Sequence, residues 1–292
     1  MIILELTKDM IDFSLKSGKK CVYYNEDYVL LYKKMPVKDE QLLEYFRRME
    51  RAFELGINTP IVDDYYLIPN SDNLGGSKGV FLEKRAKGNV LNVRGLFLYL
   101  NKSYDFREIA TNYLESIQKY LVELEKRSKA SQEMYDKLVA DFIMFENVEL
   151  VPDANSLNFL FDEENGFSII DPCLIEDAPV TYKNYFKFIM NGVYGVGRPV
   201  IHLKGGEFYH FYDLPFKERE QIMKISLIIN SKIVKAFKNY GFNDEYCKNE
   251  LLKNSYRYEV TENILSEDEF INCLSQWYMD IKEKTTTHIN HF

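Results

Sequence analysis

Between Cys21 and Lys34 the chain reads CVYY, NED, YVLLYKK: two β-prone runs around residues that tolerate tight-turn backbone angles, which predicts an antiparallel hairpin closed by Pro36. From Val37 to Leu55 the apolar residues Leu42, Phe46, Met49 and Phe53 recur every three or four positions, so they share one face of a helix that Gly56 stops. TPIVDDYYLIP then reads as extended chain, NSDNLGGSKG as a loop, and VFLEKRAKGNVL (Val80 to Leu91) as another β-prone run. The predicted order is hairpin, helix, hairpin.

Beyond Asn101 the period lengthens to that of amphipathic helices, clearest over Arg107 to Arg127 and Gln132 to Phe145. Two short apolar runs, NFLF and FSII, then flank the polar turn DEENG. From Pro172 to about Pro215 the chain is loop-rich, and helical patterning returns over Lys217 to Tyr240 and Glu267 to Lys284. The fold class expected is α+β in two lobes: residues 1–86 rich in β-strand with one helix, and residues 87–292 mainly helical, dividing near KRAKG. A cleft between such lobes is the usual ligand position.

Composition narrows the function. The 292 residues carry 46% hydrophobic and 15% aromatic side chains, enough for a substantial core. Thirty-seven basic against 45 acidic residues give a net charge of -8, which disfavours nucleic acid as the main partner. No apolar run approaches the roughly 20 residues of a membrane span. MIILELTKDM carries an acidic Glu5 and no basic leader, so a cytoplasmic location is expected, with later export as an effector left open. Cys21, Cys173, Cys247 and Cys273 are dispersed without a CxxC pair and read as reduced thiols. His202 and His210 have neither the spacing nor the companions of a zinc site.

The stretch with most chemistry is VPDANSLNFLFDEENGFSIIDP, Val151 to Pro172. Asp153 precedes Asn158 by five positions, two apolar strands and a turn follow, and IID closes with Asp171. PDANS is also an ordinary turn sequence and DEENG an ordinary hairpin loop. As a whole, however, the arrangement resembles the catalytic loop and metal-binding segment of the protein kinase-like superfamily, which includes small-molecule kinases of the aminoglycoside and choline type. The resemblance runs from about Cys21 to Pro172. It implies a two-lobed fold, ATP with Mg²⁺ (or Mn²⁺) as cofactors, and transfer of the γ-phosphoryl group to a hydroxyl of a protein or small molecule. Asp153 would orient that hydroxyl and accept its proton, while Asn158 and Asp171 would offer hard oxygen ligands to the metal.

In the amino lobe the resemblance implies a phosphate-holding lysine, Lys33 or Lys34, with Lys33 preferred because strand alternation puts it on the face of Leu31 and Val29. Its glutamate partner would be Glu44 or Glu50, and Glu83 and Arg85 would meet the adenine edge through their main chain. Several family features are absent. Val151 stands where a His is usual, Cys173 where a Gly is usual, Asn155 where protein kinases often have Lys, and no GxGxxG precedes the first hairpin. Two alternatives therefore stand beside the enzyme: a pseudokinase that binds nucleotide or a partner without catalysis, and an unrelated α+β binding protein.

Overall fold

The computed structural model describes residues 5–17, 21–34, 39–68, 78–91, 106–152, 158–174, 185, 189, 193, 200–202, 208–210 and 216–247. It is a mixed α+β structure with antiparallel sheets. The chain divides into two compact units. The first comprises Met1–Lys87, Asp141–Asp153 and Ser168–Thr181, and the second Gly88–Ala140, Ala154–Phe167 and Tyr182–Phe292.

In the first unit, strands β1 (Cys21–Tyr23), β2 (Tyr28–Lys34), β3 (Val62–Ile68) and β4 (Lys78–Lys84) form one sheet in the order β1-β2-β4-β3. The turn between β1 and β2 closes because the Asn25 side chain accepts the backbone N–H groups of Asp27 and Tyr28, the local bonding for which Asn is favoured in turns. Strand alternation sorts the sheet into two faces. Leu30, Val80 and Leu82 pack against Met10 of helix α1 (Lys8–Ser17), with Leu6, Ile11, Tyr28, Tyr32 and Ile68 around them. The other face meets helix α2 (Asp39–Glu54): Tyr45 packs edge-on against Phe81 at 5.9 Å, and Phe46 against Tyr65 at 4.6 Å. The buried stripe of α2 is Leu42, Tyr45, Met49 and Ala52.

Helix α1 was not predicted. Of its apolar residues only Met10 is fully buried, while Phe13 and Leu15 are exposed, so its hydrophobic period is broken. Its position is fixed from outside: the Leu6 N–H donates to Asp64 Oδ2 at 2.7 Å. Asp64 follows a bulge in the edge strand β3 that gives the strand an extra residue, which lets two adjacent aspartates fit within it. The Tyr28 hydroxyl donates to the other one, Asp63, at 2.9 Å.

Helix α2 ends where Gly56 takes φ 76° and the Ile57 N–H reaches back to the Ala52 carbonyl at 3.1 Å, a left-handed cap that glycine adopts without strain.

The second unit contains β5 (Asn89–Val90), helix α3 (Phe106–Lys129) and the start of helix α4 (Gln132–Asn147), which runs into the first unit from Asp141. Strands β6 (Leu150–Val151) and β9 (Cys173–Leu174) form an antiparallel pair in the first unit. Strands β7 (Phe159–Asp162) and β8 (Gly166–Ile169) join β5 in a sheet of order β5-β7-β8, and the last two residues of β8 belong to the first unit. The rings of Phe161 in β7 and Phe167 in β8 meet at a tilt, and Tyr135 of α4 packs edge-on against Phe167. Helix α5 (Phe216–Tyr240) packs on α3, and its Lys232 ammonium caps the end of that helix by donating to the Ser128 carbonyl at 2.7 Å and to that of Ala130. Strands β10 (Val200–His202) and β11 (Phe208–His210) make a hairpin inside what the sequence presents only as loop. The helix expected over Glu267 to Lys284 lies outside the described residues.

Candidate site around Asp171

Asp171 is half-buried and left-handed, with φ 52°, a conformation in which Asp and Asn are enriched but which still costs an L-residue about 1–2 kcal/mol. Bonds on both sides hold it there. Two residues earlier, the Ile169 N–H donates to the Asn58 carbonyl at 3.0 Å and the Thr59 hydroxyl donates to the Ile169 carbonyl at 2.8 Å. The loop carrying Asn58 is itself fixed, because its N–H donates to Oδ2 of Asp141, a carboxylate only 1% exposed. Two residues later, Cys173 pairs with Val151 and Leu174 with Leu150.

The loop end entering β6 is anchored by a residue the sequence did not single out. Arg48, on α2, donates from Nη1 to the Glu149 carbonyl at 2.9 Å and pairs through Nη2 with the Glu149 carboxylate at 3.0 Å. Glu149, like Asp171, is left-handed (φ 55°). A planar fork that takes one main-chain and one side-chain oxygen of the same residue fixes orientation as well as distance. The Nε of Arg48 donates to Glu44 at 3.0 Å, and Arg47 pairs with the same carboxylate at 3.7 Å. Glu44 is thus an anchor for two arginines of its own helix. Glu50 is exposed.

Tyr45 and Glu83 are the buried polar groups on the α2 face of the sheet. Glu83 lies in β4 opposite Val29 and Val62, with 3% of its surface exposed. Burial pushes the Tyr45 hydroxyl well above the usual phenol range, and the neighbouring Glu83, Asp171 and Cys173 push it further in the same direction. Tyr45 is therefore a neutral hydroxyl in the field of two carboxylates.

The other expected residues fall as follows. Asp153 lies outside the described residues, two positions beyond the paired Val151. The backbone of Lys33 pairs with Gly79 and that of Lys34 with Lys78; their side chains lie outside the described residues. Arg85 is exposed, its N–H donates to the Asp27 carbonyl at 2.7 Å, and its guanidinium lies over the Tyr23 ring.

Asn158, half-buried, immediately precedes β7 in the second unit. Its neighbour Phe159 offers its carbonyl to the buried Arg127 at 2.9 Å, the second anchor the sequence did not single out. A buried arginine on an amphipathic helix is indistinguishable, from spacing alone, from a solvated one. Among the described residues no three His, Cys, Asp or Glu side chains are gathered closely enough to hold a metal, and no helix is long and apolar enough to cross a membrane.

No family model matches this chain, and no curated protein sequence matches it.

Proposed function

We propose that the chain is an ATP-dependent phosphotransferase of the protein kinase-like kind, transferring the γ-phosphoryl group to a hydroxyl of a protein or small molecule. The observation that carries the reading is the pairing of β6 with β9, in which Val151 opposite Cys173 brings together the chain segments that lead to Asp153 and away from Asp171. Chain connectivity keeps Asp153 within two residues, at most about 7 Å of extended backbone, of that pair. Support comes from the sheet order β1-β2-β4-β3 with α2 inserted between β2 and β3, which sets the strand holding Lys33 next to β4 and packs α2 on the Glu83 face.

In this reading Asp153 orients the acceptor hydroxyl and takes its proton, a contribution of about 10²- to 10⁴-fold in rate. Asn158 and Asp171 would offer a carbonyl and a carboxylate oxygen to Mg²⁺ (or Mn²⁺), a hard cation that takes oxygen ligands. Such a metal, when bound, would supply positive charge that neutralises the phosphates during transfer. Lys33 holds the phosphates from β2, with Glu44 or Glu50 of α2 as its partner.

The experiment has two stages. Mg·ATP at about 100 times its dissociation constant adds roughly 2.7 kcal/mol to the folded state, a melting shift of several degrees. Intact mass after incubation with ATP and candidate acceptors is then compared for the parent and Asp153→Asn. Transfer by the parent and none by the variant is expected; equal transfer by both removes Asp153 from its role. Binding without transfer by the parent replaces the enzyme with the nucleotide-binding pseudokinase that Val151 and Cys173 already suggest, and no shift with any nucleotide removes the superfamily reading.

A further inference from the structure

One cross-strand row runs over all four strands of the first sheet: Tyr23 in β1, Val29 in β2, Glu83 in β4 and Val62 in β3. These positions share the face on which α2 packs, but α2 does not cover all of it. Val29, Glu83 and Val62 are buried at 9%, 3% and 8% exposure, while Tyr23 stands 65% exposed. Arg85 continues the alternation of Phe81 and Glu83 on that face, and its guanidinium lies 4.9 Å from the centre of the Tyr23 ring. The Arg85 main chain is committed elsewhere, to Asp27. The side chain is what the residue presents.

We propose that Tyr23 and Arg85 form a stacking wall for the purine ring of a nucleotide at the exposed end of this row, so that Arg85 acts through its guanidinium and not its backbone. This rests on the phosphotransferase reading and specifies how its nucleotide is gripped. An exposed tyrosine ring offers an aromatic base a large flat contact at little conformational cost, and a guanidinium stacks on both rings while attracting phosphate charge. The dimensions agree. The backbone of Lys33 lies four residues along β2 from Val29, about 13 Å at 3.3 Å per residue, the scale of an extended nucleoside triphosphate from its base to its outer phosphates. A base against Tyr23 thus leaves its phosphates beside the strand position of the candidate lysine.

The test is calorimetric titration of Mg·ATP into the parent, Tyr23→Phe, Tyr23→Ala and Arg85→Ala. Both positions are exposed, so melting temperatures without nucleotide should match the parent's. Tyr23→Ala is expected to weaken binding by about 10-fold or more, within the range a base–aromatic stack supplies. Tyr23→Phe should bind like the parent, because the ring and not the hydroxyl makes the contact, and Arg85→Ala should fall between. If the parent binds ATP and Tyr23→Ala binds it equally well, or if Tyr23→Phe is as weak as Tyr23→Ala, the stacking wall is wrong and the phosphotransferase reading stands. If the parent binds no ATP, both fall together.

Discussion

Replacing Arg127 with methionine tests whether a buried guanidinium holds the second unit's small sheet to its helices. Arg127 is fully buried near the end of α3. Its Nη1 donates to the Val193 carbonyl at 2.7 Å, and its Nη2 to the carbonyls of Phe159 at 2.9 Å and Asn89 at 3.3 Å. One side chain therefore bridges α3 to β5, to β7 and to the segment at Val193. Burial lowers its pKa from 12.5 to about 10, opposed by the fields of Tyr135 and Glu123, so it is still charged at neutral pH. Holding that charge in the interior costs about 3 kcal/mol at 1.36 kcal/mol per unit.

Methionine fills much of the volume and removes that cost, but it leaves three carbonyls without their donor, each worth about 1–3 kcal/mol when buried. The relief and the loss partly cancel, and the net expectation is a destabilisation of about 3 kcal/mol. Arg127→Lys keeps the charge, but one ammonium cannot reproduce a fork spread over three acceptors, so it should rescue less than half of the loss. Urea unfolding at pH 7, with the m-value checked for constancy, measures both. A loss below about 0.5 kcal/mol for methionine, or full rescue by lysine, would refute the bridging argument.

Two further predictions concern backbone and thiols. Gly88 has φ 99°, and a Cβ there would run into Phe161 O and C and Asp162 N, all backbone, whereas Gly56 has φ 76° and open space around it. Gly56→Ala should cost only left-handed strain, about 1–2 kcal/mol, and Gly88→Ala clearly more in the same urea assay; equal losses would show that the close approach at Gly88 has no energetic weight. Cys21 and Cys173 are exposed, whereas burial pushes the Cys247 thiol up to about 11, so at pH 8 only about one in a thousand is thiolate against roughly one in four for a free thiol. With Ellman's reagent Cys247→Ala should leave the fast phase of the native protein unchanged, and loss of a fast thiol in that variant would contradict its burial. The sign for stability follows: the unfolded chain loses this proton first, so the thiol subtracts stability as pH rises from about 9 toward 11.

The parts of the fold legible in the sequence are those set by neighbours along the chain. The β1–β2 hairpin follows from two β-prone runs around NED, and α2 from the period of Leu42, Phe46 and Met49. Finer assignments failed where tertiary contacts decide. Phe53 fits the period yet is exposed, while Tyr45, which the apolar count passed over, is fully buried against Phe81. Arg127 and Asp141 sit on helices whose patterning gives charged residues to solvent, and only partners 32 to 83 residues away reveal them as buried anchors. The short strands β10 and β11 have three residues each, too few for a period to be read.

Asp171 shows why the candidate site was visible while its support was not. Its residue type and its place after an apolar run are local facts, and they drew attention to it. Its left-handed backbone is not local: it persists because the chain is pinned at Ile169 by Asn58 and Thr59 and at Cys173 by Val151, so that relaxing one residue means breaking bonds on both sides. The pins themselves depend on Asp141 and Arg48, one holding the loop after α2 and the other the turn before β6. The cost of the strained aspartate is therefore shared with two stretches of the first unit, residues 48–59 and 141–151, both distant from it in sequence. An arrangement of that kind leaves in the sequence only the residue it positions.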